Sequence, residues 1–254
     1  MGTKSRHSVW VRTSHWLGAF SVVALMISGY AILMTNPNLY WGEVGNPLVP
    51  AFIELPVSRN YQHGGWNEPT PFFEAENSPV SAIRSYDILN LNSWGRSLHF
   101  LAAWVMVFTG LFYLLLGFVT RHFKRRLLPA AGEFSGSEIW SDVRKHARLR
   151  IPKAASGAPY SPLQKLTYCV ILFVVIPVIF LTGLTMSPAV TAAYPFLLDI
   201  FGGYQSARTI HFFAFVLVTL FLVVHLLMVV LTGPGQQLRG MIFGSRHEDA
   251  RDAG

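Results

Sequence analysis

Four stretches of this chain are apolar for more than 20 residues without an Asp or Glu at their centres: 13–34, 96–119, 163–186 and 207–231. About 20 apolar residues suffice for a helix to cross the ~30 Å hydrocarbon of a bilayer. Inside lipid every backbone amide must find its partner within the segment, so runs of this length are predicted to be helices. Strands of a membrane barrel alternate in polarity over about 10 residues, and these runs do not. Pro177 sits inside the third run and is expected to kink it. The first run is longer than the 7–15-residue apolar core of a signal peptide and lacks a small-x-small cleavage site before Thr35, so it reads as a retained span. The expected fold is therefore an all-α integral membrane four-helix bundle, read as one domain over residues 1–254.

The 254 residues include 20 Lys and Arg against 13 Asp and Glu. Sixteen of the 20 basic residues fall before the first span, in the loop 120–162 or just beyond it at Lys165, or after the fourth span. Only Arg59, Arg84, Arg96 and Arg208 fall on the opposite side. Positive charge marks the cytoplasmic side of a membrane protein, so both termini are expected there. This topology explains the net charge of +7 without nucleic acid as a partner. The loop 35–95 then faces the periplasm. It carries Glu43, Glu54, Glu68, Glu74, Glu76 and Asp87, is rich in Pro, Trp and Tyr, and is expected to fold over the outer face and meet a partner. The lone cysteine, Cys169, excludes a disulfide framework, an iron–sulfur cluster and covalent CxxCH haem attachment.

Four of the nine histidines, His15, His99, His211 and His225, lie in the spans, where ionisable residues are costly and functional by default. One such histidine could simply hydrogen-bond a neighbour; four in this pattern are harder to dismiss. His211 and His225 share the fourth span, about 40° short of four full turns and ~21 Å apart along the axis. His15 opens a span that starts at the cytoplasm; His99 opens one that starts outside. His15 therefore matches the depth of His225, and His99 that of His211. A histidine pair across a bundle suits the two axial positions of a haem iron, whereas zinc wants four ligands. A proton relay leaves the matched depths unexplained.

Three of these histidines follow an arginine by three residues: Arg12 before His15, Arg96 before His99 and Arg208 before His211. Each arginine is a turn nearer water, where it can pair with a haem propionate or anchor the span end. Spans two and four share Arg-x-x-His-Phe, which hints at an ancestral repeat. Gly18, Gly29, Gly110 and Gly183 either open room for a flat macrocycle or permit close helix packing. Trp16, Phe100, Phe212 and Phe213 flank the histidines and read as ordinary interfacial residues. Bis-histidine iron has no open position, so the chemistry left is one-electron transfer between the membrane's quinone pool and a redox protein outside.

This pattern resembles the dihaem cytochrome b subunits of the formate dehydrogenase, nickel–iron hydrogenase and thiosulfate reductase group. In that family one haem histidine lies on the first helix, one on the second and two, 14 apart, on the fourth. The resemblance implies two haem b groups: one held by His15 and His225 on the cytoplasmic side, one by His99 and His211 on the periplasmic side. It implies a bacterial inner-membrane subunit of a respiratory chain, with a quinone site near the cytoplasmic-side haem. The formate dehydrogenase branch opens its third span with Tyr-Asn-x-x-Gln-Lys; here Tyr160, Gln164 and Lys165 match and Ser161 replaces Asn, which makes Tyr160, Ser161 and Gln164 the candidate quinone contacts. The segment Leu39-Tyr40-Trp41-Gly42-Glu43 looks like that of cytochromes paired with periplasmic molybdopterin oxidoreductases. The alternative is a stand-alone quinol-linked oxidoreductase of the bacterial cytochrome b561 type, though such proteins have short loops. A transporter or scaffold is a third class, and it predicts a colourless protein.

Overall fold

A computed structural model describes residues 8–35, 37–45, 50–55, 92–124, 128, 136–147 and 161–244. It is mostly helical, and four of its helices are long and apolar enough to cross a membrane. The first is α1 (Val9–Thr35) and the second α2 (Asn92–Val119), each beginning about a turn before the expected run. The third span is composite: α4 (Pro162–Val170), a π-helical turn (Ile171–Val175) and α5 (Ile176–Thr185). Pro177 has no N–H to donate to the preceding turn, and the wider turn ends two residues before it. A π-turn absorbs such an interruption without breaking the helix. The fourth span is α8 (Tyr204–Leu231).

Shorter elements join these: α3 (Gly136–Ala147), α6 (Pro188–Ala193), α7 (Phe196–Phe201) and α9 (Pro234–Ile242). The expected all-α fold is observed, and the loop adds one small feature. In the loop between the first two spans, β1 (Asn38–Leu39) pairs antiparallel with β2 (Ile53–Glu54), with Asn38 opposite Glu54 and Leu39 opposite Ile53. Most of the remainder of that loop lies outside the described residues.

The chain divides into two compact units. One comprises residues 19–106 and 176–217. Its spans bury many small and hydroxyl-bearing side chains, Ser28, Ala31, Thr182, Thr185, Ser206, Ala207, Thr209 and Ala214 among them, while Leu39 and Tyr40 are buried from the loop and Met34 from the first span's end. Large apolar residues such as Phe20, Phe100 and Leu101 point outward. This inversion of a soluble core is expected when the solvent is lipid, because association then depends on close backbone approach and hydrogen bonds. The hydroxyls avoid being orphaned by bonding back along their own helices: Ser28 to the Ala24 carbonyl at 2.6 Å, Thr182 to Val178 at 2.8 Å and Thr185 to Leu181 at 2.9 Å.

In the same unit the segment Asn38–Glu43 caps the start of α8. The Gly42 carbonyl accepts from the amides of Gln205 (2.9 Å) and Ser206 (3.2 Å), and the Gly42 amide donates to the Ser206 hydroxyl at 2.7 Å. The Glu43 carboxylate accepts from the Tyr204 amide at 3.3 Å, placing negative charge at the positive end of the helix. Thr209 donates to the Tyr40 carbonyl at 2.6 Å and Arg208 to that of Asn38 at 3.0 Å. The Gly42 carbonyl and the Glu43 carboxylate satisfy amides that a helix start leaves open, and the Thr209 and Arg208 side chains tie the segment to the helix's first two turns.

The other unit comprises residues 1–18, 107–175 and 218–254. There α3 packs against α4, and the buried Asp142 carboxylate accepts from the Leu163 amide at 3.2 Å. Ser161 caps α4: its hydroxyl accepts from the Gln164 amide at 3.3 Å, while its own amide donates to the Gln164 side chain at 3.1 Å. The carbonyls at the end of α9 receive Arg12 (to Ile242, 2.9 Å) and the indole N–H of Trp16 (to Met241, 3.2 Å).

Candidate haem-binding histidines

The two histidine pairs expected from span depth are formed, one within each unit. The imidazoles of His99 and His211 have ring centroids 6.3 Å apart, with ring planes 56° from parallel. Those of His15 and His225 are also 6.3 Å apart, at 48°. A metal–imidazole bond is about 2.0–2.1 Å and the ring centroid lies ~1.1 Å behind the nitrogen, so rings on opposite sides of one metal ion have centroids ~6.3 Å apart. Two imidazoles joined by a direct N–H···N bond would stand nearer, at ~5.1 Å. The separation in both pairs therefore fits a shared metal and is too long for mutual hydrogen bonding. Among the described residues no group of three or more His, Cys, Asp or Glu could hold a metal ion, so a two-histidine site needs a ligand set supplied from elsewhere, as a porphyrin supplies it.

His99 and His211 are held in the same way. The Ser28 hydroxyl lies 3.0 Å from His99 Nδ1, and the Thr182 hydroxyl 3.0 Å from His211 Nδ1. Each hydroxyl has one proton, and each directs it at a carbonyl one turn back in its own helix, 2.6 Å away for Ser28 and 2.8 Å for Thr182. Toward the imidazole each can then only accept. With the hydroxyl proton directed at the carbonyl, the tautomer that bonds the oxygen carries its proton on Nδ1 and leaves the Nε2 lone pair free for a metal. A glycine follows each hydroxyl residue: a Cβ at Gly29 would lie 3.5 Å from His99 Cε1, and one at Gly183 3.4 Å from His211 Cε1. Of the four span glycines singled out in the sequence, these two border imidazoles, whereas a Cβ at Gly18 or Gly110 would meet nothing within 4 Å.

His15 and His225 have different company. The Trp16 ring stands edge-on to His15 at 5.4 Å, and Phe221 stacks on His225 at 5.7 Å and 27°. Among the described residues neither histidine has a serine or threonine hydroxyl bonded to its ring. Arg12, three residues before His15, gives one guanidinium nitrogen to Ile242, while its buried Nε has no partner among the described residues and is a donor suited to a carboxylate. Arg96 is exposed. Arg208 is tied to the Asn38 carbonyl, part of the cap on α8.

Of the candidate quinone contacts, Ser161 and Gln164 serve as the reciprocal cap of α4, and Tyr160 lies outside the described residues. The sequence reading did not single out Ser28 or Thr182. The available signal was a Ser/Thr-Gly step in spans one and three, matching the Arg-x-x-His-Phe step in spans two and four.

Comparison with known proteins gives the chain a family. The model of the family described as prokaryotic cytochrome b561 matches residues 6–244. A relative in Azospira oryzae, named a putative protein-methionine-sulfoxide reductase subunit YedZ1, is 26% identical over 225 residues, 89% of this chain and 90% of its own. No solved structure gives a significant match. The chain thus belongs to the prokaryotic cytochrome b561 family, b-type haem proteins that carry electrons in the bacterial inner membrane.

Proposed function

We propose that this chain is a dihaem membrane subunit that passes electrons between the quinone pool and a periplasmic redox protein. The observation that carries the proposal is the repeated pairing of imidazoles at 6.3 Å, once in each unit. In this reading His15 and His225 hold a cytoplasmic-side haem, and His99 and His211 a periplasmic-side haem. Haem iron with two imidazole ligands supplies reversible one-electron transfer with no open position for substrate.

The remaining work falls to the chain's own residues. Ser28 and Thr182 keep the protons of His99 and His211 on Nδ1. Arg12 offers its unpartnered Nε to a propionate. Arg96 and Arg208 are placed by the sequence to do the same on the other side, with Arg208 also holding the loop. A quinone exchanging near the cytoplasmic end of the third span would meet Tyr160, Ser161 and Gln164, the last two already braced by their mutual cap.

The outer partner is read as a molybdopterin oxidoreductase docking over the loop 35–95. The name of the Azospira relative, a putative protein-methionine-sulfoxide reductase subunit, supports a reductase as that partner. A stand-alone quinol-linked oxidoreductase is the second reading, favoured by the family's description.

The test is haem content per chain with a reduced-minus-oxidised spectrum, on protein purified under mild conditions. Two low-spin b haems and a co-purifying periplasmic subunit are expected. Two haems with no partner, together with direct reduction of a small oxidant, would select the stand-alone enzyme. A colourless chain from cells competent in haem synthesis would overturn both.

A further inference from the structure

We propose that Ser28 and Thr182 are positioning residues that set the potential of one haem by accepting the Nδ1 protons of its two ligands. The inference rests on the reading of His99 and His211 as those ligands. It is carried by a doubled arrangement: two residues on different spans, both fully buried, each with its oxygen 3.0 Å from a different imidazole Nδ1. Each is already satisfied as a donor by a carbonyl of its own helix. A back-bonded hydroxyl in a membrane helix needs no further partner, so the bond to the ring is an additional and directed one.

Its chemical effect follows from the direction of donation. An acceptor on Nδ1–H pushes electron density toward Nε2 and makes the imidazole a stronger donor. A stronger donor stabilises the ferric state and lowers the potential. Two such bonds on one iron act in the same sense. The same hydrogen bonds stop each ring from turning about its Cβ–Cγ axis. Among the described residues His15 and His225 have Trp16 and Phe221 against them and no hydroxyl to exert either effect. The two haems are therefore made unequal by side chains outside the ligand set.

The experiment is an equilibrium redox titration and low-temperature EPR of the purified, haem-loaded protein carrying Ser28→Ala or Thr182→Ala, with Ser28→Thr and Thr182→Ser as restoring variants. Both alanine variants are expected to keep two haems and to raise the midpoint of the same haem, leaving the other in place. The expected change is a several-fold shift in the ferric–ferrous equilibrium, a tenfold shift being about 59 mV for one electron. The hydroxyl-conserving variants should return midpoint and g-values to those of the parent. If an alanine variant loses haem, restoration of both haem and parent midpoint by the conservative swap supports the proposal, and its failure overturns it. Unchanged midpoints and g-values would also overturn it, and would mean that nearby carbonyls, those of Leu25 and Ile179 which the hydroxyls also touch, hold the protons. Shifts on different haems would overturn it too. A separate outcome bears on the ligand reading alone: His99→Ala with both haems retained.

Discussion

Replacing Thr209 by valine isolates one bond between the loop and the fourth span. The Thr209 hydroxyl donates to the Tyr40 carbonyl at 2.6 Å, and both residues are buried, at 0% and 4% exposure. Valine preserves shape, so no cavity opens. The Tyr40 carbonyl loses its donor in a place water does not reach, which costs about 1–3 kcal/mol. For a chain of this size each kcal/mol moves the midpoint by about 2–4 °C, so a fall of ~2–12 °C is expected. Thr185→Val is the control. Thr185 is equally buried, but its hydroxyl goes to the Leu181 carbonyl, one turn back on its own helix, which also takes the ladder bond of α5. Its loss leaves that carbonyl with a partner, so the midpoint should fall by clearly less than in Thr209→Val. The assay is loss of the haem Soret band on heating in detergent at one scan rate, since such unfolding is often irreversible. Equal shifts in the two variants, or none for Thr209→Val, would refute the view that this bond anchors the loop.

Other expectations are as direct. His225→Ala should leave one haem per chain, and so should His99→Ala, with no haem in the double variant; pyridine haemochrome counts check this. Gly203→Ala should destabilise strongly, because φ is +104° and the new Cβ would lie 2.6 Å from the Gly42 carbonyl oxygen, whereas Gly110→Ala meets nothing within 4 Å and should be neutral in the same melt. Ser161→Ala removes the reciprocal cap of α4 and should cost about 1 kcal/mol without changing haem content. A reporter active only in the cytoplasm should work when fused to the C-terminus and fail when inserted in the loop 35–95.

The number and approximate positions of the spans, and which histidines pair, were legible in the sequence. Both depend on quantities local to one segment: the apolar length a bilayer demands and the fixed rise of a helix, which places residues 14 apart on nearly one face. The rest required contacts between segments distant in sequence. Ser28 meets His99 across 71 positions and Thr182 meets His211 across 29. A serine followed by glycine in a membrane helix has no local mark that distinguishes a ligand's partner from a packing residue. The cap on α8 joins Gly42 to the amides of Gln205 and Ser206, because amides at a helix start must be satisfied by whatever chain folds over them, and it joins Tyr40 to the Thr209 hydroxyl across 169 positions. That cap also claims Arg208, and α9 claims one nitrogen of Arg12, commitments invisible in the Arg-x-x-His spacing. Periodicity decided which residues share a depth; only the tertiary structure decided what each polar atom at that depth is bonded to, because in lipid each donor must be matched in three dimensions.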